Sequence, residues 1–110
     1  MGTKLTDTQT ATTTGVKAPA TLTKFPEYGA TVGVELTGGG SCTVQFRAWA
    51  NGSEANKEIL ATFVLPVSGG VKNGDTFDHL PIFSTWDNWD WNITAIATGT
   101  ARLSVVGVGV

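Results

Sequence analysis

The sequence predicts an all-β fold, an antiparallel β-sandwich of about seven strands, and three observations support this prediction. Apolar and polar residues alternate over residues 31–37 and 41–50, as they do in half-buried strands. Turn signals recur along the chain, at Gly38, Asn51, Gly69, Asn73 and Gly99. Charged residues make up only 15% of the 110 residues, and threonine and glycine, which suit strands and turns, take their place.

Seven candidate strands can be placed in order. They cover residues 20–25, 31–37, 41–50, 58–67, 76–83, 90–98 and 101–110. In the third strand the even positions from Cys42 to Ala48 are apolar, so we expect them to face the core. Pro81 removes a backbone donor from the fifth strand and places it at a sheet edge. The last two strands are predicted to pair across Gly99. Short strands at this spacing favour a two-sheet sandwich, Ig-like or jelly-roll-like, over a small barrel.

Residues 1–20 differ in composition from the rest and are predicted to form an extended arm before a sandwich domain over residues 21–110. Seven of the first fourteen residues are threonine, and the only sizeable apolar side chains are Met1, Leu5 and Val16. Without an apolar repeat, the segment cannot offset the entropy of its own ordering. We expect it either to fray or to order on a neighbouring subunit, and to contribute to assembly rather than to domain folding.

Charge and composition argue against several classes of function. The net charge is −2 and the seven basic residues are scattered, so no basic face for nucleic acid is predicted. The sequence has no run of about 18 apolar residues, so no membrane span is predicted. The first residues lack the apolar core of a signal peptide. We therefore expect the chain to fold in a cytoplasm, where the single Cys42 needs no disulfide partner.

The residues that carry catalytic or metal chemistry are too few to suggest an enzyme. His79 is the only histidine, and we expect it on the surface of an edge strand. Cys42 is expected to act as a small buried hydrophobe. The chain has only one histidine and one cysteine, too few for an ordinary zinc site. The acidic residues lack the spacing of an EF-hand calcium site. Residues 38–40 lack the lysine of a P-loop and are predicted to form a hairpin turn. We expect no catalytic residue, metal or cofactor.

A tryptophan-rich segment over residues 86–91 is the one unusual constellation, since it holds three of the four tryptophans. Tryptophan beside aspartate and asparagine suits three roles: sugar binding, a subunit interface, or anchoring of a core. Trp89 and Trp91 are two residues apart, so on a strand they share one face, and we expect that face to be buried. Trp86 is expected in the preceding loop, where Asp87 and Asn88 could join it at a surface.

Two patterns in the sequence resemble a known family. Residues 44–52 read as a strand that runs into an Asn-Gly turn. Residues 91–105 read as a closing strand pair with N-x-T, then T-G-T, then alternating valines. Over roughly residues 30–110 the chain resembles short β-sandwich virion proteins of tailed phages, of the capsid decoration (cement) or head-fibre kind. That family often has a charged Asp-Gly hairpin followed by a tryptophan, whereas here Trp49 precedes the turn and Glu54 follows it.

The resemblance implies a structural role without catalytic residues or a cofactor. The expected function is that of a capsid decoration protein, made in the host cytoplasm and located on the capsid surface of the virion. Its expected partners are the major capsid protein and further copies of itself in a homotrimer. Two alternatives stay open: a tail, neck or fibre-adaptor component, and a carbohydrate-binding module that uses the tryptophan cluster. The candidate interface residues are Trp49, Trp86, Asp87 and Asn88.

Overall fold

The computed structural model describes residues 2–66, 71–72, 75–84 and 86–109, and it confirms the predicted β-sandwich. One sheet has five strands in the order β1 (Thr3–Ala11), β9 (Thr100–Gly109), β3 (Ala30–Thr37), β7 (Asp75–Ile82) and β6 (Val71–Lys72). The other has four, in the order β2 (Gly15–Lys17), β8 (Asn88–Ile96), β4 (Cys42–Trp49) and β5 (Glu58–Leu65). A 3₁₀ turn, Glu54–Asn56, lies between β4 and β5. Among the residues described, no helix has the length and apolar character to cross a membrane.

The connectivity is that of a jelly roll. Most consecutive strands lie in opposite sheets, and among the described strands only β4–β5 and β6–β7 join neighbours within one sheet. The resulting orders, β1-β9-β3-β7 and β2-β8-β4-β5, interleave the first and last strands of the chain. Of the two sandwich types that the sequence left open, the strand order therefore selects the jelly roll.

Two glycine turns that were predicted as hairpins cross between the sheets instead. Residues 38–40 lead from β3 to β4, and Gly99 leads from β8 to β9, so β8 and β9 do not pair. All four glycines have positive φ, between 79° and 88°. A Cβ on Gly99 would overlap the carbonyl oxygens of Thr37 and Gly39, so the two crossings also pack against each other. Turn chemistry indicates a reversal of the chain but not the sheet that receives the next strand.

Six of the seven predicted strands correspond to β3, β4, β5, β7, β8 and β9. The strand predicted over residues 20–25 is absent, because this segment forms bends that end at the buried Phe25. Pro81 lies in β7 beyond the two residues that pair with β6, which agrees with its predicted edge position. The turns predicted at Gly69 and Asn73 lie outside the described residues.

The core lies between the sheets and follows the predicted alternation. Cys42, Phe46 and the other even positions of β4 are buried, as expected. The ring of Phe46 lies 5.5 Å from that of Trp89 and 4.9 Å from that of Trp91, measured between centroids. Both tryptophans are almost fully buried, so the prediction that they anchor the core is confirmed. Aromatic pairs at these distances contribute beyond their buried area.

Residues 3–11 and 15–17 are strands of the sandwich, which corrects the prediction that residues 1–20 form an arm apart from domain folding. β1 pairs with β9 along its whole length, and β2 pairs with β8 in the opposite sheet. The inward positions of β1 include Asp7, Gln9 and Ala11. Because polar and small residues occupy that face, the strand lacks the apolar alternation by which a strand is recognised.

The buried side chain of Asp7 connects β1 to the segment over residues 20–25, where a strand was predicted. It is only 1% exposed, and its Oδ2 accepts hydrogen bonds from the backbone N–H groups of Thr21 (2.7 Å) and Leu22 (2.9 Å). The Thr21 hydroxyl donates to the carbonyl oxygen of Thr6 at 2.9 Å. A buried carboxylate requires such donors. Two of the backbone donors that a strand over residues 20–25 would use, those of Thr21 and Leu22, are thus bound to Asp7 of β1.

Cys42 should be unreactive in the folded protein. It is buried at the start of β4, and burial raises the pKa of its thiol above the ordinary value. A raised pKa lowers the thiolate fraction at any given pH, and the thiolate is the reactive form. We expect a thiol-specific reagent to label Cys42 at once in denaturant and, in buffer, only as fast as the domain opens. Rapid labelling of the folded chain would contradict the burial.

Candidate functional site

The four candidate interface residues, Trp49, Trp86, Asp87 and Asn88, lie at one corner of the sandwich, where β4 ends and β8 begins. Trp49 is paired with Asn88 in the register of these strands. Asn51 ties the corner together, because its backbone N–H donates to Asp87 Oδ2 at 2.9 Å. Its side-chain Oδ1 accepts a hydrogen bond from Asn88 Nδ2, also at 2.9 Å. The Asn-Gly turn therefore positions the segment that precedes β8.

The four candidate residues line two different clefts. Trp86 and Asp87 line a cleft of about 760 Å³ at the end of the sandwich, which we call the end cleft. Trp49 and Asn88 line a second cleft of about 360 Å³ beside the four-stranded sheet, which we call the side cleft. The cluster seen in the sequence is thus not one site, because the residues on either side of the start of β8 belong to different surfaces.

An ion cluster occupies the side cleft and its surroundings. The guanidinium of Arg47 binds both carboxylate oxygens of Asp90, with Nε and Nη2 each at 2.8 Å. The ammonium of Lys57 contacts Asp90 Oδ2 at 2.9 Å and lies 4.4 Å from the ring centroid of Trp49. Lys57 therefore covers the Trp49 ring, and two cations bind the buried Asp90. Such a satisfied cluster stabilises the strand pair rather than leaving groups for a ligand.

We expect Arg47→Met to lower the free energy of unfolding by about 2–3 kcal/mol, because two charge-assisted hydrogen bonds to a buried carboxylate are lost. Lys57 remains at Asp90 and limits the effect. Gln45→Met is the matched control on the same outward face of β4, and we expect it to cost less than about 1 kcal/mol. Urea titration measures both variants. Equal losses would show that the ion cluster adds no specific stability.

The end cleft combines aromatic and charged side chains. Tyr28 is 64% exposed, Trp86 is half-buried and packs on the core, and Phe25 is buried. The charged groups that line the cleft are Lys24, Glu27 and Asp87. Trp86 precedes β8 in a loop, as expected from sequence, and because it also packs on the core it contributes to folding as well as to this surface. Sequence reasoning missed Tyr28; its signal was a lone tyrosine next to Glu27 in a Pro-Gly loop.

Exposed apolar side chains form a second surface on the five-stranded sheet, at the end of the sandwich that holds the end cleft. Val106 and Val108 lie on the outer face of β9, and Phe83, just after β7, is 84% exposed. The register places Val106 and Pro81 in one row of the sheet, on either side of β3. Gly29 lies between Val108 and Phe83. Its carbonyl oxygen accepts a hydrogen bond from the Val108 N–H at 3.2 Å, and its Cα side lies against the backbone of Phe83. We call Pro81, Phe83, Val106 and Val108 the apolar patch.

The remaining chemistry-bearing residues do not converge. His79 is exposed on β7, where its ring lies 6.4 Å from that of Phe77. Within the part of the chain that the structure describes, no three His, Cys, Asp or Glu residues are placed to hold a metal ion. Among the described residues, the two clefts and the apolar patch are candidate binding surfaces.

Comparisons with known proteins do not assign the chain to a family. No family model matches the sequence. No curated protein matches it either. The function is therefore argued from the fold and from these surfaces.

Proposed function

We propose that this chain is a structural virion protein of a tailed phage, a capsid decoration protein that docks on the major capsid protein and assembles as a homotrimer. It acts without a catalytic residue or a cofactor. The observation that carries the proposal is the apolar patch, with Phe83 at 84% exposure and two half-exposed valines on β9, of which Val108 is hydrogen-bonded to the Gly29 that lies against Phe83. Contiguous exposed apolar groups with a polar rim mark protein–protein contacts.

The surface next to the patch suits a broad, flat contact. On the outer face of β1, Thr6, Thr8 and Thr10 are exposed and are paired with Val106, Ser104 and Arg102 of β9. Hydroxyl groups cost far less to desolvate than charged groups, and they can exchange hydrogen bonds with a partner. A threonine-rich sheet face beside an apolar patch is therefore suited to protein contact over a wide area.

The connectivity supports the proposal by analogy. Double-sheet jelly rolls occur in viral capsid and lectin domains. A fold alone does not define a function, so the analogy only adds to the argument from the patch. The sequence resemblance to phage decoration and head-fibre proteins points in the same direction. A tail, neck or fibre-adaptor role would use the same docking chemistry at far fewer copies per particle.

Charged substitutions in the patch test the proposal. We expect Val108→Asp to abolish docking of the purified chain on heads of the encoding phage that lack it, measured by co-sedimentation. Val64→Asp is the matched control, since Val64 is similarly exposed but lies on β5 in the other sheet. Light scattering of the wild-type chain should show a trimer. A strict monomer that also fails to sediment with these heads would overturn the proposal.

A further inference from the structure

We propose that the end cleft binds an uncharged sugar ring, a function beyond docking on a capsid. The cleft is open to solvent and has a volume of about 760 Å³, within the range of roughly 300–1,000 Å³ that small-molecule sites occupy. Its walls come from separate parts of the chain: the loop before β3, the residue after β4 and the segment before β8. Because these segments are tied to strands, the cleft is formed before any ligand arrives.

Two aromatic side chains supply the surface for stacking. Tyr28 is 64% exposed, and its ring contacts no other aromatic ring among the described residues. Trp86 is half-buried and is held by the core behind it. An aromatic face is apolar, while the C–H groups on one side of a pyranose ring are also apolar, so the two surfaces bury area on contact. The exposed Tyr28 ring gains this burial when a ligand fills the cleft.

Carboxylates supply the acceptors that sugar hydroxyls require. Asp87 is fixed in place by the hydrogen bond from the Asn51 N–H to its Oδ2 at 2.9 Å. Its other oxygen has no hydrogen-bond partner in the described part of the chain. Glu27 lines the same cleft. Hydrogen bonds from a neutral hydroxyl to a carboxylate are strong because the acceptor is charged.

The charge of the cleft selects among ligands. Glu27 and Asp87 face one cation, Lys24, so the lining carries a formal excess of one negative charge. This excess weakens the binding of uronic acids, sialic acids, phosphates and nucleotides relative to that of an uncharged hexose. The side cleft lacks the same capacity, because Lys57 covers Trp49 and the Asp90 carboxylate is bound by Arg47 and Lys57.

Titration of the isolated full chain tests the proposal. The probes are the methyl glycosides of glucose, galactose, mannose and N-acetylglucosamine, with glucuronate as the acidic comparison. We expect at least one neutral probe to give saturable tryptophan fluorescence and saturation-transfer NMR signals, with a Kd on the order of 1 mM. Glucuronate should bind more weakly. A glycan array then distinguishes a free sugar from the end of a longer cell-surface glycan.

Variants locate the binding. Tyr28→Ala should weaken it by about tenfold or more, whereas Tyr28→Phe, which keeps the ring, should retain most of it. Tyr28 is exposed, so neither change threatens folding. Trp49→Ala in the side cleft is the control and should leave binding unchanged.

Three results would overturn the sugar site: no neutral probe binds, glucuronate binds best, or binding survives Tyr28→Ala. Loss of head docking in Tyr28→Ala without any sugar binding would overturn it in favour of a protein segment as the occupant. The titration involves no capsid, so its outcome and that of the docking test are independent.

Discussion

Deletion of residues 1–18 should abolish the cooperative thermal unfolding transition of this domain. The deletion removes β1, which pairs with β9 from Thr3 to Ala11, and β2, which pairs with β8. β9 would become an unpaired edge, and the fully buried Leu103 and Val105 would lose the cover of a neighbouring strand. A domain of this size has a stability of only about 5–15 kcal/mol, which the loss of a nine-residue strand is enough to exhaust.

A single substitution tests the contribution of the buried Asp7 side chain without removing the strand. Asp7→Ala should lower the free energy of unfolding by about 2–3 kcal/mol, because the N–H groups of Thr21 and Leu22 lose a charged acceptor in a buried site. Thr8→Ala, on the exposed face of the same strand, should cost within about 0.5 kcal/mol. Differential scanning calorimetry measures all three proteins. A deletion variant that melts cooperatively at the wild-type temperature would show that β1 is a dispensable arm.

Trp91→Ala should lower the free energy of unfolding by about 3–5 kcal/mol, as large aromatic truncations in cores do. Its ring is fully buried and lies edge-on to Phe46, with centroids 4.9 Å apart. A second ring, that of Phe63, is 6.3 Å away. Removing the indole therefore leaves a cavity at the centre of the aromatic cluster, which rigid strands on both sides cannot close.

The comparison variant is Trp49→Ala, which removes the same side chain from the outward face of β4. Trp49 is half-buried and contacts Lys57, so we expect less than half of the Trp91 effect. Guanidinium titration with a fixed m-value compares the two. Equal losses would mean that the aromatic cluster does not anchor the core.

The strands that alternate clearly could be predicted from sequence, and their residues show why others could not. β4 presents apolar side chains at every second position, so its inward face was evident. β1 places Asp7 on its inward face, and a buried carboxylate reads as a loop residue. A bulge opposite Thr43 and Val44 turns Ala95 outward, although alternation along β8 would place it inside. Neither buried polar groups nor bulges leave a periodic signal.

The candidate site could be predicted only in part. The four candidate residues lie at one corner, but Trp49 and Asn88 line a different cleft from Trp86 and Asp87. Tyr28 reaches the end cleft from a loop almost sixty residues away along the chain. That proximity depends on the order of strands in the two sheets, and local sequence does not encode it.

Cryo-electron microscopy of whole particles of the encoding phage tests the central proposal most directly. We expect density for the two-sheet sandwich on the outer capsid surface, three copies around each binding position, with Phe83 and Val108 against the major capsid protein. Quantitative mass spectrometry of the same particles should give a copy number close to that of the capsid protein. Absence of the chain from purified particles, or its presence only at the neck or tail, would contradict the decoration role.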